Sequence, residues 1–485
     1  MIRWTPVGVA AVTGAVLSPD VDPRAPVTGL VIDSREAGPG VVFLALPGSR
    51  AHGADFAADA VRRGSPFVMA DRPLAVPHAL VSDPFAALRQ VAEVALRRVR
   101  VAGQNPMVIA NTGSLGKTTT KDLLARILSQ VGETVASPGS FNNHIGVPLT
   151  VTMAGPTTQF LVLEMGANHE GEIAALTRLA PPDVAVVLSV SNAHVGEFGS
   201  IEAIARAKAE LVESLGPTGV AVLNLDDPLV AGMAFLAAAD ALTFGFDSAA
   251  RIMGHDMATD AAGRLRLGVT DQDEDATAWM ETELIGEQLA GDVLGAVAAA
   301  VAVGVPVGRA AAALDGVGPI SPHRMAVSEL DRGITLIDDA YNASPESVAA
   351  ALEFAGSLAR RSGRQAEAVL GSMLELGDES AAEHRRIGAL VAREGFSRLI
   401  VVGSHARPMC DAAVAAGMPA SHVEHHPAER APDGLAAQLA QILGPGVVLI
   451  KGSNSVGLWR LADQLKEQLR APDARSRPPG GDARC

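Results

Sequence analysis

The stretch that most restricts the fold is Asn111 to Leu124, NTGSLGKTTTKDLL. A short apolar run, MVIA at 107–110, leads directly into it. Beyond it, Leu123, Leu124, Ile127, Leu128 and Val131 form one apolar stripe at helical period. A strand, a glycine-bearing turn closed by Gly-Lys-Thr, and an amphipathic helix together predict a phosphate loop. In such a loop the backbone N–H groups and the helix N-terminus face phosphate oxygens. Lys117 supplies a mobile positive charge, and Thr118 places a hydroxyl where magnesium is usually held. Asn111 stands where Gly-x4-Gly-Lys spacing would put its first glycine, yet a tighter Thr-Gly-Ser-x-Gly-Lys-Thr-Thr motif is complete from Thr112 to Thr119. The plainer reading, a glycine-rich turn that only caps a helix, has against it the Gly-Lys-Thr triplet directly after a strand. The expected nucleotide contacts here are Thr112, Gly113, Ser114, Gly116, Lys117, Thr118 and Thr119.

From Asn105 onward, short β-rich runs alternate with helical segments, which predicts a largely parallel sheet. The candidate strands are FLVLE (160–164), VAVVLSV (184–190) and VAVLNL (220–225). Glycine and proline cluster in DGVGPISPHR (315–324), where a domain boundary is expected. A second series follows: ITLID (334–338), AVLGS (368–372), LIVVG (399–403) and VVLIKGS (447–453). Residues 1–105, with GLVIDSREAGPGVVFLALPG, read as a separate mixed α/β unit. The expectation is an α/β protein with domains at 1–105, 106–317 and 318–470 and a disordered Pro/Gly/Arg-rich tail at 471–485.

Hydrophobic residues make up 48% and charged ones 19%, so the chain can bury substantial cores. Aromatics are only 3%, which leaves Ala, Val, Leu and Gly to fill them. A net charge of −15 argues against a sequence-independent grip on nucleic acid or an anionic membrane, while leaving small anionic substrates open. Two cysteines, Cys410 and Cys485, do not make a disulfide framework and fit a reducing compartment. The N-terminus has Arg3 as its only early basic residue and is broken by Pro6, a poor fit to a signal peptide. The longest apolar run, Val293 to Val305, falls short of the roughly 20 residues that span a bilayer. A soluble cytoplasmic monomer is expected.

Several further blocks resemble the Mur ligases, ATP-dependent amide-bond enzymes of peptidoglycan synthesis. They are GSFNNHIGVPLTV (139–151), LEMGANHEGEIAAL (163–176), NAHVGEFGSIEAIARAKAEL (192–211), IDDAYNASPESVAAAL (337–352), VLGSMLELGDESAAEH (369–384) and KGSNS (451–455). DSREAGPGVVFLALPGSRAHGADFAADAVRRG (33–64) is similar to the family's UDP-sugar-binding region. The resemblance implies a central P-loop ATPase-type parallel sheet and a C-terminal Rossmann-like domain. It implies a carboxylate that attacks the γ-phosphoryl of ATP and an amine that displaces the resulting acyl phosphate. The branch resembled adds D-alanyl-D-alanine to UDP-N-acetylmuramoyl-tripeptide.

Glu164 ends an apolar strand, a usual place for an acidic magnesium ligand, though a solvated strand end reads the same way. The resemblance implies that Thr118, Glu164, His194 and Lys208 gather two Mg2+ ions, Lys208 as a carbamate; without it, Lys208 beside Glu210 reads as a solvated helix face. It further implies ATP contacts at Asn142, Asn143, Asp292, Arg324, Asp338 or Asp339, Tyr341 and Asn342. Lys451 and Asn454 would serve phosphates or the incoming substrate, and Asp33, Ser34 and Arg35 the UDP-sugar.

Departures from the family pattern cluster away from the phosphate and metal positions. The Gly-x-His-Asn-x-x-Asn element appears as GEQLAGD (286–292), with Gln288, Leu289 and Asp292 replacing His, Asn and Asn. Ser344 stands for Asn, Ser372 for an acidic residue and Asn454 for Arg. Losing a fixed guanidinium fork is not a conservative change. Two alternatives therefore stay open: a paralogue making an amide in a specialised metabolite, and a nucleotide-binding partner protein without ligase turnover.

Overall fold

The computed structural model describes residues 4–48, 51–101, 103, 105–191 and 195–470. Three sheets organise the chain. The first contains β1 (Val16–Leu17), β2 (Gly29–Val31), β3 (Val41–Leu44), β4 (Val68–Ala70) and β5 (His78–Leu80) in the order β1-β5-β4-β3-β2. Only its β1–β5 pair is antiparallel.

The second sheet carries the phosphate loop. Its strands are β6 (Met107–Thr112), β7 (Thr134–Ala136), β8 (Phe160–Glu164), β9 (Val184–Val187), β10 (Val220–Asn224), β11 (Asp240–Gly245), β12 (Ile252–Thr259), β13 (Arg264–Asp271) and β14 (Ala276–Ile285). The order is β14-β13-β12-β11-β10-β9-β6-β8-β7. From β7 to β12 every pairing is parallel, and β12, β13 and β14 extend the edge antiparallel. The parallel part is covered on both faces, so its strands are continuously apolar; all four residues of β9 are buried. One face carries helices Lys117–Leu128, Ala290–Ala302 and Val307–Leu314. The other carries Gly146–Met153, Glu172–Leu179 and Ile201–Glu213.

The scarcity of aromatics is met by close backbone approach. Helix Ala290–Ala302 buries Ala296, Val297, Ala298, Ala299 and Ala300 completely. A Cβ on its Gly295 would lie 2.8 Å from Leu188, so the helix rests almost directly on the sheet. This is the apolar run read as too short for a bilayer, and no described helix is long and apolar enough to cross one.

The third sheet contains β15 (Ala326–Leu330), β16 (Ile334–Asp338), β17 (Gln365–Gly371), β18 (Arg398–Val402), β19 (Val423–His426) and β20 (Gly446–Lys451), in the order β15-β16-β20-β17-β18-β19. Only the β15–β16 pair is antiparallel. The Gly/Pro segment at 315–324 joins helix Val307–Leu314 to β15 without regular structure of its own.

Two expectations need correction. The helix after the phosphate loop ends at Leu128, so Val131 lies beyond it and is 37% exposed rather than on the buried stripe. The long reading of the strand at 184–190 also fails, because β9 stops at Val187 and the following residues turn back to brace the loop. Cys410 is a buried free thiol, and Cys485 and the tail at 471–485 lie outside the described residues.

Candidate active site

The phosphate loop lies at the carboxyl end of β6, where ligands of open α/β sheets bind. Gly116 caps the following helix at φ 81, a left-handed backbone that favours glycine. A Cβ there would also lie 2.0 Å from the Asp292 carboxylate, so the turn is doubly restricted to glycine. The loop is braced from β9's exit: Ser114 N–H donates to Ser189 O at 2.8 Å, and Leu115 N–H to Ser189 Oγ at 3.1 Å. Ser191 N–H donates to Ser114 Oγ at 2.9 Å. Thr112 is fully buried at the top of the strand.

Asn111 explains itself. Its Nδ2 donates to Lys117 O at 2.6 Å, tying the strand end to the first helical turn across the loop. An amide therefore holds from beneath what the missing glycine would leave to the backbone. Lys117 Nζ donates to Gly113 O at 2.6 Å and Ser114 O at 3.2 Å. Burial pulls its ammonium below the ordinary lysine range, opposed by Glu164.

Thr118, Glu164, Ser140, Asn142 and Arg324 converge beside the loop. Thr118 Oγ1 donates to Glu164 Oε2 at 2.7 Å, and Asn142 Nδ2 donates to Glu164 Oε1 at 2.8 Å. Arg324 reaches across from the third domain: its Nη2 donates to Thr118 Oγ1 at 2.9 Å and to Ser140 Oγ at 2.8 Å. Hydroxyl and carboxylate oxygens are the donor set that hard divalent cations take, and a guanidinium already sits against them. The residues present therefore fit a magnesium ion held by Thr118 and Glu164. Glu164 is 1% exposed, which removes its reading as a solvated strand end. His194 lies outside the described residues.

Lys208 is 5% exposed on helix Ile201–Glu213, so the solvated-face reading fails. Burial, helped by the charge of Lys117, brings its amine down to about 7. Glu210, two residues on, turns the other way and accepts from Gly171 N–H at 2.5 Å and Ala174 N–H at 2.9 Å. The segment after residue 194 meets the third domain, where a Cβ on Gly196 would be 2.4 Å from Gly377 N.

Asp292 presses on the loop from helix Ala290–Ala302. The residue is half-buried, with its carboxyl packed against Gly116. Burial raises it to about 7, against the pull of Arg324, Lys117 and the Thr119 hydroxyl. A carboxyl raised on folding adds stability below its unfolded value, and that stability is lost as pH rises through the folded one. Between 3.8 and about 7, Asp292→Asn is therefore expected to gain stability progressively over the parent. Denaturant unfolding at several pH values measures this; a difference independent of pH would refute the buried ionisation.

In the third domain, Lys451 Nζ lies 2.5 Å from Asp339 Oδ2 and donates to Asn342 O at 2.9 Å. Asp338 points elsewhere: Lys466 Nζ is 2.5 Å from its Oδ2 and His323 Nδ1 is 2.8 Å away. Of the two neighbouring aspartates, Asp339 is thus the one on the side of Lys451. The Arg324 guanidinium stacks on the Tyr341 ring at 4.3 Å from its centroid. Asn143 Oδ1 accepts from Ile145 and Gly146 N–H groups, both at 3.0 Å, which makes it the anchor of the next helix.

Asp33, Ser34 and Arg35 form a local turn in the first domain. Asp33 Oδ1 accepts from Arg35 N–H at 2.9 Å, and the Arg35 guanidinium holds the Asp33 carboxyl below the usual range. Ser34 Oγ is 3.5 Å from Asp59 Oδ2. No described hydrogen bond joins this turn to the Lys117 cluster.

The departures separate into two kinds. Ser344 caps helix Pro345–Arg361 with a capping box. Serine and asparagine cap helices about equally well, so this exchange is structural. Ser344→Ala is expected to lower stability by about 1 kcal/mol and Ser344→Asn by far less; thermal unfolding of both checks it. Asn454 Nδ2 donates to Tyr341 O at 3.1 Å, and Ser372 Oγ is buried without a hydrogen-bond partner among the described residues. Gln288 Nε2 donates to Ile285 O at 3.4 Å, and Leu289 packs against the central core.

Sequence reasoning missed Ser140, Lys121 and His323. Lys121 is 2% exposed and donates to Ser137 O at 2.7 Å and Gly139 O at 3.0 Å, fixing the loop that presents Ser140. No sequence signal marked it, since it lies among polar and charged residues of the helix.

Comparison with known proteins finds relatives along almost the whole chain. Three family models match: "Mur ligase family, catalytic domain" at 26–105, "Mur ligase middle domain" at 112–300 and "Mur ligase, glutamate ligase domain" at 323–454. The chain is 42% identical to UDP-N-acetylmuramoyl-tripeptide–D-alanyl-D-alanine ligase of Mycobacterium tuberculosis, over 96% of this chain and 98% of that one. It is 30% identical to the enzyme of that name from Escherichia coli, over 90% and 93%. Among solved structures, MurF from Acinetobacter baumannii superimposes with a TM-score of 0.80 at 27% identity, covering 96% and 99%. MurF ligase from Thermotoga maritima, in complex with ADP, gives 0.71 at 27%, covering 91% and 97%.

Proposed function

Since the chain belongs to the Mur ligase family, we propose that it is an ATP-dependent ligase joining D-alanyl-D-alanine to UDP-N-acetylmuramoyl-tripeptide. The observation that carries this reading is Arg324 of the third domain bonded to Thr118 of the phosphate loop. It supports a nucleotide held between two domains whose approach completes the site.

The reaction needs a tripeptide carboxylate to attack the γ-phosphorus of ATP, releasing ADP and leaving an acyl phosphate. The dipeptide amine then attacks the acyl carbon, phosphate departs, and the amine loses a proton. Such transfer depends on positioning and charge neutralisation. The N–H groups at the helix N-terminus receive the phosphates, and Lys117 turns from its loop carbonyls to the β- and γ-oxygens. Thr118 and Glu164 would hold magnesium, whose charge would help neutralise the phosphates. Lys208, as a carbamate, and His194 would serve a second cation. Arg324 adds charge beside Thr118. The Asp339–Lys451 pair and Tyr341 with Asn342 wall the nucleotide, Asn454 borders the amine side, and Asp33, Ser34 and Arg35 serve the UDP-sugar. We place this reaction in the cytoplasm, carried out by a monomer.

Relatives this similar across almost the whole chain favour this substrate pair over a specialised-metabolite paralogue. ADP release with both substrates present, and a product of the combined mass less water, is the expected result. Turnover with other amines but none with D-alanyl-D-alanine would refute the substrate assignment.

A further inference from the structure

Arg324 is the only described link between the third domain and the Thr118 hydroxyl, and its backbone is set in an unusual way. The residues on either side are left-handed: His323 has φ 60 and Met325 has φ 48. Side chains with a Cβ avoid this region unless surrounding contacts impose it. The contacts are visible. Met325 N–H donates to Asp339 Oδ1 at 3.1 Å, which fixes the downstream side. Upstream, His323 Nδ1 lies 2.8 Å from Asp338 Oδ2, and His323 O accepts from Tyr341 N–H at 3.1 Å. Its Nε2 is 3.7 Å from Asp463, and its ring lies 5.9 Å from that of Trp459.

The ligand atoms of His323, Asp338 and Asp463 lie close enough together to suit a metal ion. However, Lys466 Nζ already sits 2.5 Å from the same Asp338 oxygen that His323 faces. With an ammonium in that place, the cluster is a fully protein-made ion network. Asp338 is completely buried at the end of β16, while Trp459, Asp463 and Lys466 all come from helix Leu458–Gln468. The last helix and the sheet thus grip the linker one residue before the arginine that crosses the cleft.

We propose that His323, clamped by Asp338 and helix Leu458–Gln468, is a positioning residue that aims Arg324 at the phosphate loop. The proposal rests on the reading that Arg324 serves the nucleotide. The imidazole fixes the linker's path, Tyr341 is held by the same residue's carbonyl, and its ring forms the floor on which the guanidinium lies.

The test uses the full chain and follows ADP release as a function of ATP concentration. His323→Ala is expected to raise the KM for ATP on the order of tenfold, since small displacements of a positioning group are felt at the reacting centre. His323→Asn should recover most of the loss, because asparagine tolerates the left-handed backbone and carries an amide donor where Nδ1 stands. His323→Gly relieves the backbone but removes the clamp, and is expected to behave like alanine. Arg324→Ala should raise the KM more, and adding His323→Ala to it should change nothing further, because the two act in series. A glycine variant equal to the parent, or losses that multiply in the double variant, overturns the proposal while leaving the role of Arg324 intact. An unchanged KM in Arg324→Ala overturns the reading of the nucleotide site itself, and the proposal with it.

Discussion

Lys117→Ala is expected to lower the rate of ADP release by about 10³-fold with both substrates saturating. The ammonium lies at the heart of the loop, with burial already pressing against its charge and Glu164 supporting it. In the structure it bonds to Gly113 O and Ser114 O, carbonyls of its own loop. Those bonds keep the side chain folded against its own loop, and it leaves the two carbonyls when phosphate arrives. Alanine is expected to leave the fold intact, because the two carbonyls can turn to water, but it removes the loop's own mobile charge. Lys117→Arg should not rescue, since a planar fork cannot occupy a pocket shaped for a point charge. Single-turnover measurement of acyl-phosphate formation separates this from weaker ATP binding. A rate within about twofold of the parent would dismiss the loop as the catalytic phosphate site.

The sequence announced this loop clearly because its chemistry is local. Glycine, lysine and threonine follow a strand within a dozen residues, and the backbone alone decides what they face. The continuously apolar strands of the parallel sheet were legible for a related reason, being buried on both faces. The edge strands β13 and β14 were not. Their residues alternate between buried and exposed, as in Ala276–Ile285, but Trp279 on the exposed side and Thr282 on the buried side masked the period. Lys208 and Lys121 show a second limit: each sits in a charged helix sequence that reads as solvent-facing, and only tertiary packing buries them. His323 shows a third. A histidine in a Gly/Pro linker has no pattern of its own, and its partners arrive from residues 338, 459 and 463. Asn111 reversed the usual inference, since what looked like a defect in the motif is a side-chain tie to Lys117 O.

Lys208 gives the second large effect. An ordinary lysine is almost wholly protonated at neutral pH and cannot attack carbon dioxide. Burial and the nearby charge of Lys117 bring this amine to about 7, so a substantial fraction is neutral where the enzyme works. A neutral amine can add to carbon dioxide, forming a nitrogen–carbon bond and releasing one proton, and the cation becomes a carboxylate-like anion. That change would also replace the repulsion between the Lys208 and Lys117 ammonium groups by attraction. Because the amine's folded value lies below its ordinary one, acidification through about 7 should protonate it and reverse the modification. Lys208→Ala is therefore expected to lose about 10²-fold or more in ADP release and to recover in part with added formate or acetate, whose carboxylate fills the space left by the side chain. Labelled bicarbonate should give a carbamate carbon resonance in the parent enzyme that fades on acidification and is absent from Lys208→Ala. Full activity of the alanine variant, or a parent spectrum without that resonance at any pH where the enzyme turns over, would show that the buried lysine acts as a plain amine.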